Sequence, residues 1–324
     1  MDGIPTDAEL MAAVREAMRP LDGAVAVALR RRPSEYRTSF PLEELEVELD
    51  DGGSLRLAFK RLDWDGLDEG ARLAKPRFLH DPGREPAVYA SVLGPDLGAP
   101  RYHGAVLGPE RHWLFVEWVE GRELYQVGER ELWEAAARWL ATLHVRLAPD
   151  LERHAEAARL VDHDAAFYRR WIERARHFAG DPGQPAARRA GVEWLAARHE
   201  AVVEALLTLP QTVLHGEFYA ANVLVAADTP VPRVAAVDWE VAAAGPGVSD
   251  LAALISGDWA PQDREAIAAA YGGVGGASVE GLDHARLQLA IQWLGWAPPR
   301  WAPPEGQRHD WLAEALELAE GLGL

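Results

Sequence analysis

The sequence contains no cysteine, and only two of its 33 basic residues are lysines, Lys60 and Lys75. The absence of cysteine excludes disulfides, thiolate metal sites and a cysteine nucleophile. No apolar run approaches the roughly eighteen residues that span a membrane, and the start, Met1-Asp2-Gly3, is not a basic-then-apolar leader. We therefore expect a cytoplasmic protein with no membrane partner.

Positive charge is also scarce, because 33 Lys and Arg face 51 Asp and Glu, for a net charge of -18 at pH 7. This charge argues against a nucleic-acid partner, whose phosphates would be repelled. It suits a cationic small molecule, and it equally serves solubility. With 48% apolar residues, the 324-residue chain can bury a sizeable core in one large or two smaller domains.

One stretch has a recognisable pattern of functional residues: His-Gly-Glu-Phe-Tyr-Ala-Ala-Asn, from His215 to Asn222. Asp238 follows sixteen residues after Asn222. In phosphoryl transfer, one carboxylate meets the acceptor hydroxyl, while an amide and a second carboxylate bind metal. Glu217, Asn222 and Asp238 have that order and spacing. Apolar runs on both sides of a turn-rich segment predict a hairpin that brings Asn222 near Asp238. Oxygen ligands of this kind suit Mg²⁺.

The motif resembles the aminoglycoside phosphotransferase and choline kinase-like family, whose pattern is His-Gly-Asp, four residues, Asn, and then Ile/Val-Asp-Trp/Phe-Glu. Here Glu217 replaces the aspartate, and the second segment is Val237 to Glu240. The resemblance implies an α+β, two-lobed protein-kinase-like fold, with an N-terminal antiparallel sheet lobe and a larger, mainly helical C-terminal lobe. It also implies that Glu217 is the base, that His215 holds the loop, and that Asn222 and Asp238 bind Mg²⁺. Glu240 would support them.

The N-terminal part has the pattern of such a sheet lobe. Thr6-Asp7-Ala8-Glu9 predicts a capping box and a helix to about Met18. Alternation predicts three successive antiparallel strands over residues 24–29, 45–49 and 55–60. The loop before the second strand, around Thr38 and Ser39, would cover phosphate without a G-x-G-x-x-G motif.

The resemblance assigns nucleotide contacts along these strands. Ala58-Phe59-Lys60 matches the small-x-Lys of a kinase third strand, where the small residue makes room for adenine and the lysine reaches the phosphates. Glu85, at the start of the next helix, is the implied partner of Lys60, or it only complements that helix terminus. Leu114 to Gly121 resembles the hinge, so backbone near Glu117 and Val119 would bind adenine. We expect a nucleotide-binding lobe over 1–117 and a catalytic and acceptor-binding lobe over 118–324.

The C-terminal part predicts helices over 131–147, 162–178 and 186–207. His144 is interpreted as structural, and Asp250 as the N-cap of a helix. The late tryptophans either pack together or line an acceptor pocket; they are Trp293, Trp296, Trp301 and Trp311.

The leading interpretation is an ATP- and Mg²⁺-dependent phosphotransferase acting on a hydroxyl of a small, polar or cationic acceptor. An aminoglycoside-like compound, an amino alcohol and a sugar all remain open. The alternative is a catalytically weak nucleotide-binding sensor or scaffold, which the replacement at Glu217 would favour. A protein kinase is disfavoured, because the Gly-rich loop, Asp-Phe-Gly and Ala-Pro-Glu are missing.

Overall fold

The structure is a computed structural model that describes residues 4–18, 24–34, 39–67, 69–109, 111–226, 232–296 and 309–324. Thr38 and Trp301 lie outside these ranges. The strands are β1 (Ala26–Pro33), β2 (Leu42–Leu49), β3 (Ser54–Arg61), β4 (Tyr102–Gly108), β5 (Arg111–Glu117), β6 (Arg122–Glu123), β7 (Val161–Asp162), β8 (Gln211–Leu214), β9 (Val223–Ala226), β10 (Arg233–Ala236) and β11 (Ala243–Pro246). The helices are α1 (Asp7–Ala17), α2 (Glu69–Ala74), α3 (Arg84–Ser91), α4 (Arg130–Leu147), α5 (Leu151–Ala158), α6 (Ala165–Ala179), α7 (Ala186–Ala196), α8 (His199–Leu207), α9 (Val248–Leu254), α10 (Pro261–Gly272), α11 (Leu282–Trp296) and α12 (Trp311–Gly321).

A five-stranded sheet in the order β1-β2-β3-β5-β4, antiparallel throughout, occupies the N-terminal part. Successive side chains of β3 point to opposite faces. Leu57 and Phe59 are completely buried in a core cluster with residues of α1. Ala58 and Lys60 therefore face the other side of the sheet, where Lys60 pairs in register with Leu114 of β5. The three predicted antiparallel strands are confirmed.

Helix α1 covers the outer face of this sheet. Its start is the predicted capping box: the Glu9 backbone N–H donates to Thr6 Oγ1 at 3.3 Å, and the Thr6 N–H donates to Glu9 Oε2 at 2.9 Å. Leu10 and Val14 are completely buried against the sheet. Local capping and an apolar stripe thus account for this helix.

Beyond β5 the described chain is mainly helical, with two small three-stranded sheets, β10-β9-β6 and β7-β11-β8. The predicted hairpin is confirmed, since β9 and β10 pair antiparallel with Val223 opposite Ala236. The next pair of residues continues the contact, because the Val237 N–H donates to the Asn222 carbonyl at 2.9 Å. None of the helices in the described ranges combines the length and apolar composition needed to cross a membrane.

The single helix predicted over residues 186–207 is wrong, because α7 and α8 are separate. The Arg198 guanidinium lies over the Trp194 ring at 3.9 Å and donates to the Trp194 carbonyl at 3.1 Å. In a continuous helix that carbonyl would accept from the Arg198 backbone N–H, which instead reaches Leu195. The apolar spacing runs on through the break, so periodicity alone could not reveal it.

Several predicted boundaries also differ, and strand β2 begins at Leu42 rather than at Leu45. Helix α6 begins at Ala165 rather than at Asp162, because the Asp164 carboxylate accepts the Phe167 N–H at 2.7 Å and caps the helix. The two residues of β7 pair with β11 instead. Strand β1 starts and ends later than predicted, since its pairing with β2 extends to Pro33.

Replacing Gly104 by alanine should destabilise the fold. Gly104 has φ +138°, and a Cβ built there would lie 2.3 Å from the Ala17 carbonyl oxygen at the end of α1. We expect the free energy of unfolding to fall by about 1–3 kcal/mol in urea denaturation. Gly108 is the matched control in the same strand, because no heavy atom of a described residue other than its chain neighbours lies within 4 Å of its Cβ position. G108A should change stability by less than about 0.5 kcal/mol. Equal stabilities of the two variants would contradict the close approach.

Candidate active site

Lys60 is the centre of a buried charge cluster. Its Nζ donates to Glu85 Oε2 at 2.8 Å and contacts Asp238 Oδ1. Burial acts to lower the pKa of Lys60, but the charges of Asp238 and Glu85 outweigh it and raise the pKa above its ordinary value. The lysine is therefore a permanent cation, held at the inner face of the sheet.

Glu85 lies in the first turn of α3, as predicted, and reaches two partners. Besides Lys60, it accepts the Trp239 backbone N–H on Oε1 at 3.3 Å. Burial raises the pKa of Glu85 to about 7, against the opposing effect of Lys60. The neighbouring Arg84 is also buried and donates from Nη1 to the Glu240 carbonyl at 2.6 Å. The first turn of α3 thus binds the backbone N–H of Trp239 and the backbone carbonyl of the next residue, Glu240.

Asp238 has an unusual backbone, with φ +68° in a residue that is not glycine. Such a conformation costs roughly 1–3 kcal/mol and persists only where the surroundings impose it. Here Trp239 is completely buried, and its indole N–H donates to the Ala236 carbonyl at 3.1 Å. Burial acts to raise the pKa of Asp238, but the Lys60 contact outweighs it and lowers the pKa. Asp238 is thus a carboxylate aimed at the lysine.

The segment from His215 to Asn222, which the sequence predicts to be catalytic and which is called the catalytic loop below for that reason, is closed by its own hydrogen bonds. His215 Nε2 donates to the Val237 carbonyl at 2.9 Å, while its Nδ1 accepts the Glu217 N–H at 3.3 Å. These roles define a neutral imidazole, and burial lowers the pKa of His215 in agreement. Asn222 Nδ2 donates to the Glu217 carbonyl at 2.9 Å. His215 and Asn222 together fix the backbone on either side of Glu217.

The N-cap role predicted for Asp250 is wrong. Gly247 occupies the N-cap position of α9, and Asp250 lies inside the helix, almost completely buried. Its two carboxylate oxygens accept the backbone N–H groups of His215 at 2.6 Å and Gly216 at 2.9 Å. The catalytic loop, rather than the helix terminus, supplies the donors that this carboxylate satisfies.

Behind Asp250, His144 has a structural role, as predicted. His144 Nε2 lies 3.3 Å from Asp250 Oδ2, and Nδ1 lies 2.8 Å from the Tyr271 hydroxyl. Burial acts to raise the pKa of Asp250, but the His144 hydrogen bond leads the effects that lower it, and the net shift is downward. The chain of contacts anchors the catalytic loop to α4, α9 and α10.

A cleft with a volume of about 130 Å³ brings together seven of the nine residues selected from the sequence. They are Ala58, Lys60, Glu85, Glu117, Val119, Asn222 and Asp238. The other two, His215 and Glu217, belong to the catalytic loop beside the cleft and connect to it through the Asn222 hydrogen bond. The Glu117 carboxylate itself is bound to Arg233 at 2.6 and 2.8 Å and is therefore already paired.

The donors available for a metal ion are oxygen atoms at the edge of the cleft. In the described part of the chain, no three His, Cys, Asp or Glu residues group into a metal site. Asn222 and Asp238 both line the cleft, and because the Asn222 amide nitrogen donates to the Glu217 carbonyl, its oxygen is the atom suited to a cation. Two such ligands fit Mg²⁺, which normally takes its remaining ligands from phosphate and water.

Sequence reasoning missed Lys75 and Arg84. Lys75 follows α2, is 7% exposed and forms an ion pair with Glu240. The scarcity of lysine was the available signal, because Lys60 and Lys75 are the only lysines beside 31 arginines. Arg84 gave no such signal, since its partners include backbone carbonyls distant in sequence.

The late tryptophans within the described residues, Trp293, Trp296 and Trp311, pack against other aromatic rings. Trp293 stacks on Trp311 with ring centroids 5.4 Å apart, and Trp296 stacks on Trp171 at 5.5 Å. Trp293 also meets Tyr219 of the catalytic loop at 5.6 Å. Of the two roles considered from the sequence, packing is the one that these contacts demonstrate.

Comparison with known proteins identifies the family. The model of the phosphotransferase enzyme family, APH, matches residues 86–290, which is more than half of the chain. The protein therefore belongs to this family. A comparison with curated protein sequences finds no match.

Solved structures with the same fold confirm the predicted two-lobed protein-kinase-like architecture. The GDP and kanamycin complex of APH(2″)-IIIa has a TM-score of 0.57 at 13% identity, covering 96% of this chain and 97% of that one. Choline kinase LicA from Streptococcus pneumoniae has a TM-score of 0.54 at 16% identity, covering 92% of this chain and 94% of that one. Aminoglycoside-3′-phosphotransferase of type VIII has a TM-score of 0.50 at 22% identity, covering 85% of this chain and 98% of that one.

Replacing Asp250 by asparagine should loosen the catalytic loop. An amide offers one acceptor oxygen where the carboxylate uses two, so a buried N–H of His215 or Gly216 loses its partner. We expect a loss of about 1–3 kcal/mol in the free energy of unfolding, measured by urea denaturation. D283N, at an exposed side chain in the first turn of α11, is the control and should stay within about 0.5 kcal/mol of wild type. A D250N protein as stable as D283N would contradict the anchoring role.

Proposed function

We propose that the protein is a small-molecule kinase that transfers the γ-phosphate of ATP to a hydroxyl group. The observation that carries the proposal is the contact of Lys60 with both Glu85 and Asp238 in the cleft that Asn222 also lines. A fixed lysine and two oxygen ligands for a cation are the parts that bind and orient a triphosphate. Membership of a phosphotransferase family supports the same conclusion.

The nucleotide would occupy the cleft between the five-stranded sheet and the helical part. Main-chain groups from Glu117 to Val119 would bind the purine, and Ala58 would leave room for it above the sheet. Lys60, oriented by Glu85, would neutralise the phosphates. The fold relative APH(2″)-IIIa was solved with GDP, which supports a nucleotide here. In this proposal residues 1–117 form the nucleotide-binding lobe and 118–324 the lobe for catalysis and acceptor binding.

Asn222 and Asp238 would hold Mg²⁺, which, when bound, screens the negative charge of the phosphates. The positive φ of Asp238 would then have a functional explanation, because this strained backbone conformation directs the carboxylate into the cleft. Before a metal ion binds, the positive charge of the Lys60 ammonium group balances the negative charge of the Asp238 carboxylate. Glu240 would support this segment through its buried contact with Lys75.

Glu217 would orient the acceptor hydroxyl and receive its proton. The acceptor oxygen bonds to the γ-phosphorus while the bond from that phosphorus to the bridging oxygen breaks, and the nucleoside diphosphate leaves with the electron pair. Burial raises the pKa of Glu217 to about 8, with Lys75 opposing the shift and Glu240 and Asp238 adding to it. His215 and Asn222 would keep the loop in position by the bonds described above.

The acceptor would be a small, polar or cationic alcohol: an aminoglycoside-like compound, an amino alcohol or a sugar. The net charge of -18 favours a cation over an anion. The fold relatives include a complex with kanamycin and a choline kinase, which supports including both classes among the candidates.

The proposal is tested by measuring Mg²⁺-dependent ATP consumption with purified protein, with and without a panel of aminoglycosides, amino alcohols and sugars. Stimulation by one class, with a phosphorylated product found by mass spectrometry, would support the kinase and define the acceptor class. Binding of Mg²⁺ and ATP without turnover for any member would instead favour a nucleotide-binding sensor or scaffold.

Asp238→Ala should abolish turnover while leaving the protein folded. The variant removes a proposed Mg²⁺ ligand, but Lys60 keeps its 2.8 Å partner Glu85. We expect kcat to fall by about a hundredfold or more, with circular dichroism unchanged. D258A, at a fully exposed side chain, is the control and should retain wild-type kcat. A D238A enzyme as active as D258A would remove Asp238 from the metal site.

Activity should rise with pH through about 8. Glu217 accepts a proton only when ionised, and its raised pKa leaves it largely protonated below about 8. With an acceptor that does not titrate in this range, kcat/KM should fall about tenfold per pH unit on the acid side and level off above pH 8. Glu217→Gln should be slow and show no such slope. The same acid-side slope in E217Q would assign the proton to another group.

A further inference from the structure

Tyr89 is a polar side chain of the cleft that the proposed reaction, as set out above, leaves without a role. It lies on α3 one turn after Glu85, so the two side chains share one face of this helix. Tyr89 is only 3% exposed, yet it lines the cleft together with Lys60 and Asp238. A tyrosine buried this deeply therefore still reaches the wall of the proposed nucleotide site.

The strand pairing shows which part of the cleft Tyr89 borders. Val116 and Leu114 of β5 lie directly opposite Ala58 and Lys60 of β3, so the four side chains share the inner face of the sheet. Tyr89 belongs to the same buried cluster as Val116 and Leu114, and all three line the cleft. Tyr89 therefore forms part of the inner wall, beside the stretch of sheet that runs from the lysine to the end of β5.

The hydroxyl of Tyr89 is free to bind a ligand. Within the described ranges it forms no hydrogen bond to another residue, whereas Lys60 nearby already contacts Glu85 and Asp238. Burial raises the pKa of Tyr89 well above its ordinary value, so the phenol stays neutral and keeps its proton. Burying a hydroxyl without a partner costs free energy. A bound molecule that offers an acceptor atom at this wall would supply the missing partner.

The proposed position of the purine turns one acceptor atom toward this hydroxyl. The main chain from Glu117 to Val119 has N–H and C=O groups side by side, which suit the neighbouring donor and acceptor on the Watson–Crick edge of the base. The ribose is attached at N9, on the side of the phosphates at Lys60. The remaining edge carries N7 and the 6-substituent and faces the inner wall that Tyr89 lines. N7 accepts a hydrogen bond in adenine and in guanine alike.

We propose that Tyr89 is a specificity-determining residue for the nucleotide, whose hydroxyl donates a hydrogen bond to N7 of the purine. The inference rests on the proposed function and adds to it a base contact made by a side chain. Leu42 and Leu224 also line the cleft, but apolar side chains offer the base no hydrogen bond. Pyrimidines have no N7, so the Tyr89 hydroxyl favours purine nucleotides over pyrimidine nucleotides.

The competing explanation is that Tyr89 only fills the core with its ring and that its hydroxyl does nothing for the nucleotide. Tyr89→Phe separates the two explanations, because it keeps the ring and removes only the hydroxyl. The matching change in the ligand is 7-deaza-ATP, in which a CH group replaces N7 and the shape of the base is retained. Protein and ligand can thus each lose one half of the proposed hydrogen bond.

The experiment measures the Kd of ATP and of 7-deaza-ATP, each with Mg²⁺, by isothermal titration calorimetry on wild type and Y89F. We expect wild type to bind ATP about three- to tenfold more tightly than 7-deaza-ATP, the usual effect of one neutral hydrogen bond. Y89F should bind both nucleotides equally, with the weaker affinity. The Tm of Y89F without nucleotide should not fall below that of wild type, because the hydroxyl has no described protein partner to lose.

The matched control is Tyr168→Phe. Tyr168 is a tyrosine of α6 that is 1% exposed and does not line the cleft, so Y168F removes an equally buried hydroxyl from another place. It should bind ATP as wild type does and keep the preference for ATP over 7-deaza-ATP.

Three results would overturn the inference while leaving the kinase proposal standing. They are a wild-type protein that binds the two nucleotides equally, a Y89F protein that keeps the wild-type preference for ATP, and a Tm of Y89F well below that of wild type. Phosphate transfer to an acceptor is measured separately and does not depend on these results. A wild-type protein that binds neither nucleotide in the presence of Mg²⁺ would overturn both proposals.

Discussion

The site depends on one buried ammonium group shared by two carboxylates. Lys60 comes from β3, Glu85 from α3 and Asp238 from the segment after β10, so a single cation joins three parts of the chain that are distant in sequence. Removing charges from water is costly unless each has a partner. Each carboxylate therefore depends on the lysine, and the sheet, the helix and the segment after the hairpin must come together for all three charges to be paired.

A second set of contacts holds the catalytic loop in place. Asp250 accepts both backbone donors at the start of the loop, while Asn222 closes its other end on the Glu217 carbonyl. The loop is thus held by its main chain. The carboxylate of Glu217 takes no part in these bonds. Other residues anchor the loop, so replacing the family's aspartate by glutamate at this position does not remove any of these contacts.

The sequence predicted what local pattern and motif order determine. Alternation defined β3 and thereby the faces of Ala58 and Lys60, and the capping box defined the start of α1. Motif order supplied Glu85 as the partner of Lys60, and the hairpin brought Asn222 beside Asp238. These features depend on neighbours in the chain or on a pattern shared with a family.

The wrong and missing predictions concern contacts that local pattern and motif order do not determine. Aspartate is a good N-cap, so Asp250 before an apolar run was interpreted as one, but its partners lie 34 and 35 residues away. The contact of Lys75 with Glu240 follows from no periodicity. The apolar spacing continues through the break between α7 and α8, where the Arg198 side chain donates to the Trp194 carbonyl. All three cases involve side-chain contacts, and a single sequence carries little trace of them.

The hydrogen bonds from α3 to Trp239 and Glu240 bear on how the activity of such an enzyme can be regulated. Regulated protein kinases change activity by displacing the corresponding carboxylate-bearing helix. Here that displacement would break the Glu85 bonds to Lys60 and Trp239 and the Arg84 bond to Glu240 in one step, leaving a carboxylate and a guanidinium buried without these partners. The architecture therefore favours a site that stays assembled over one that is switched by a movement of this helix.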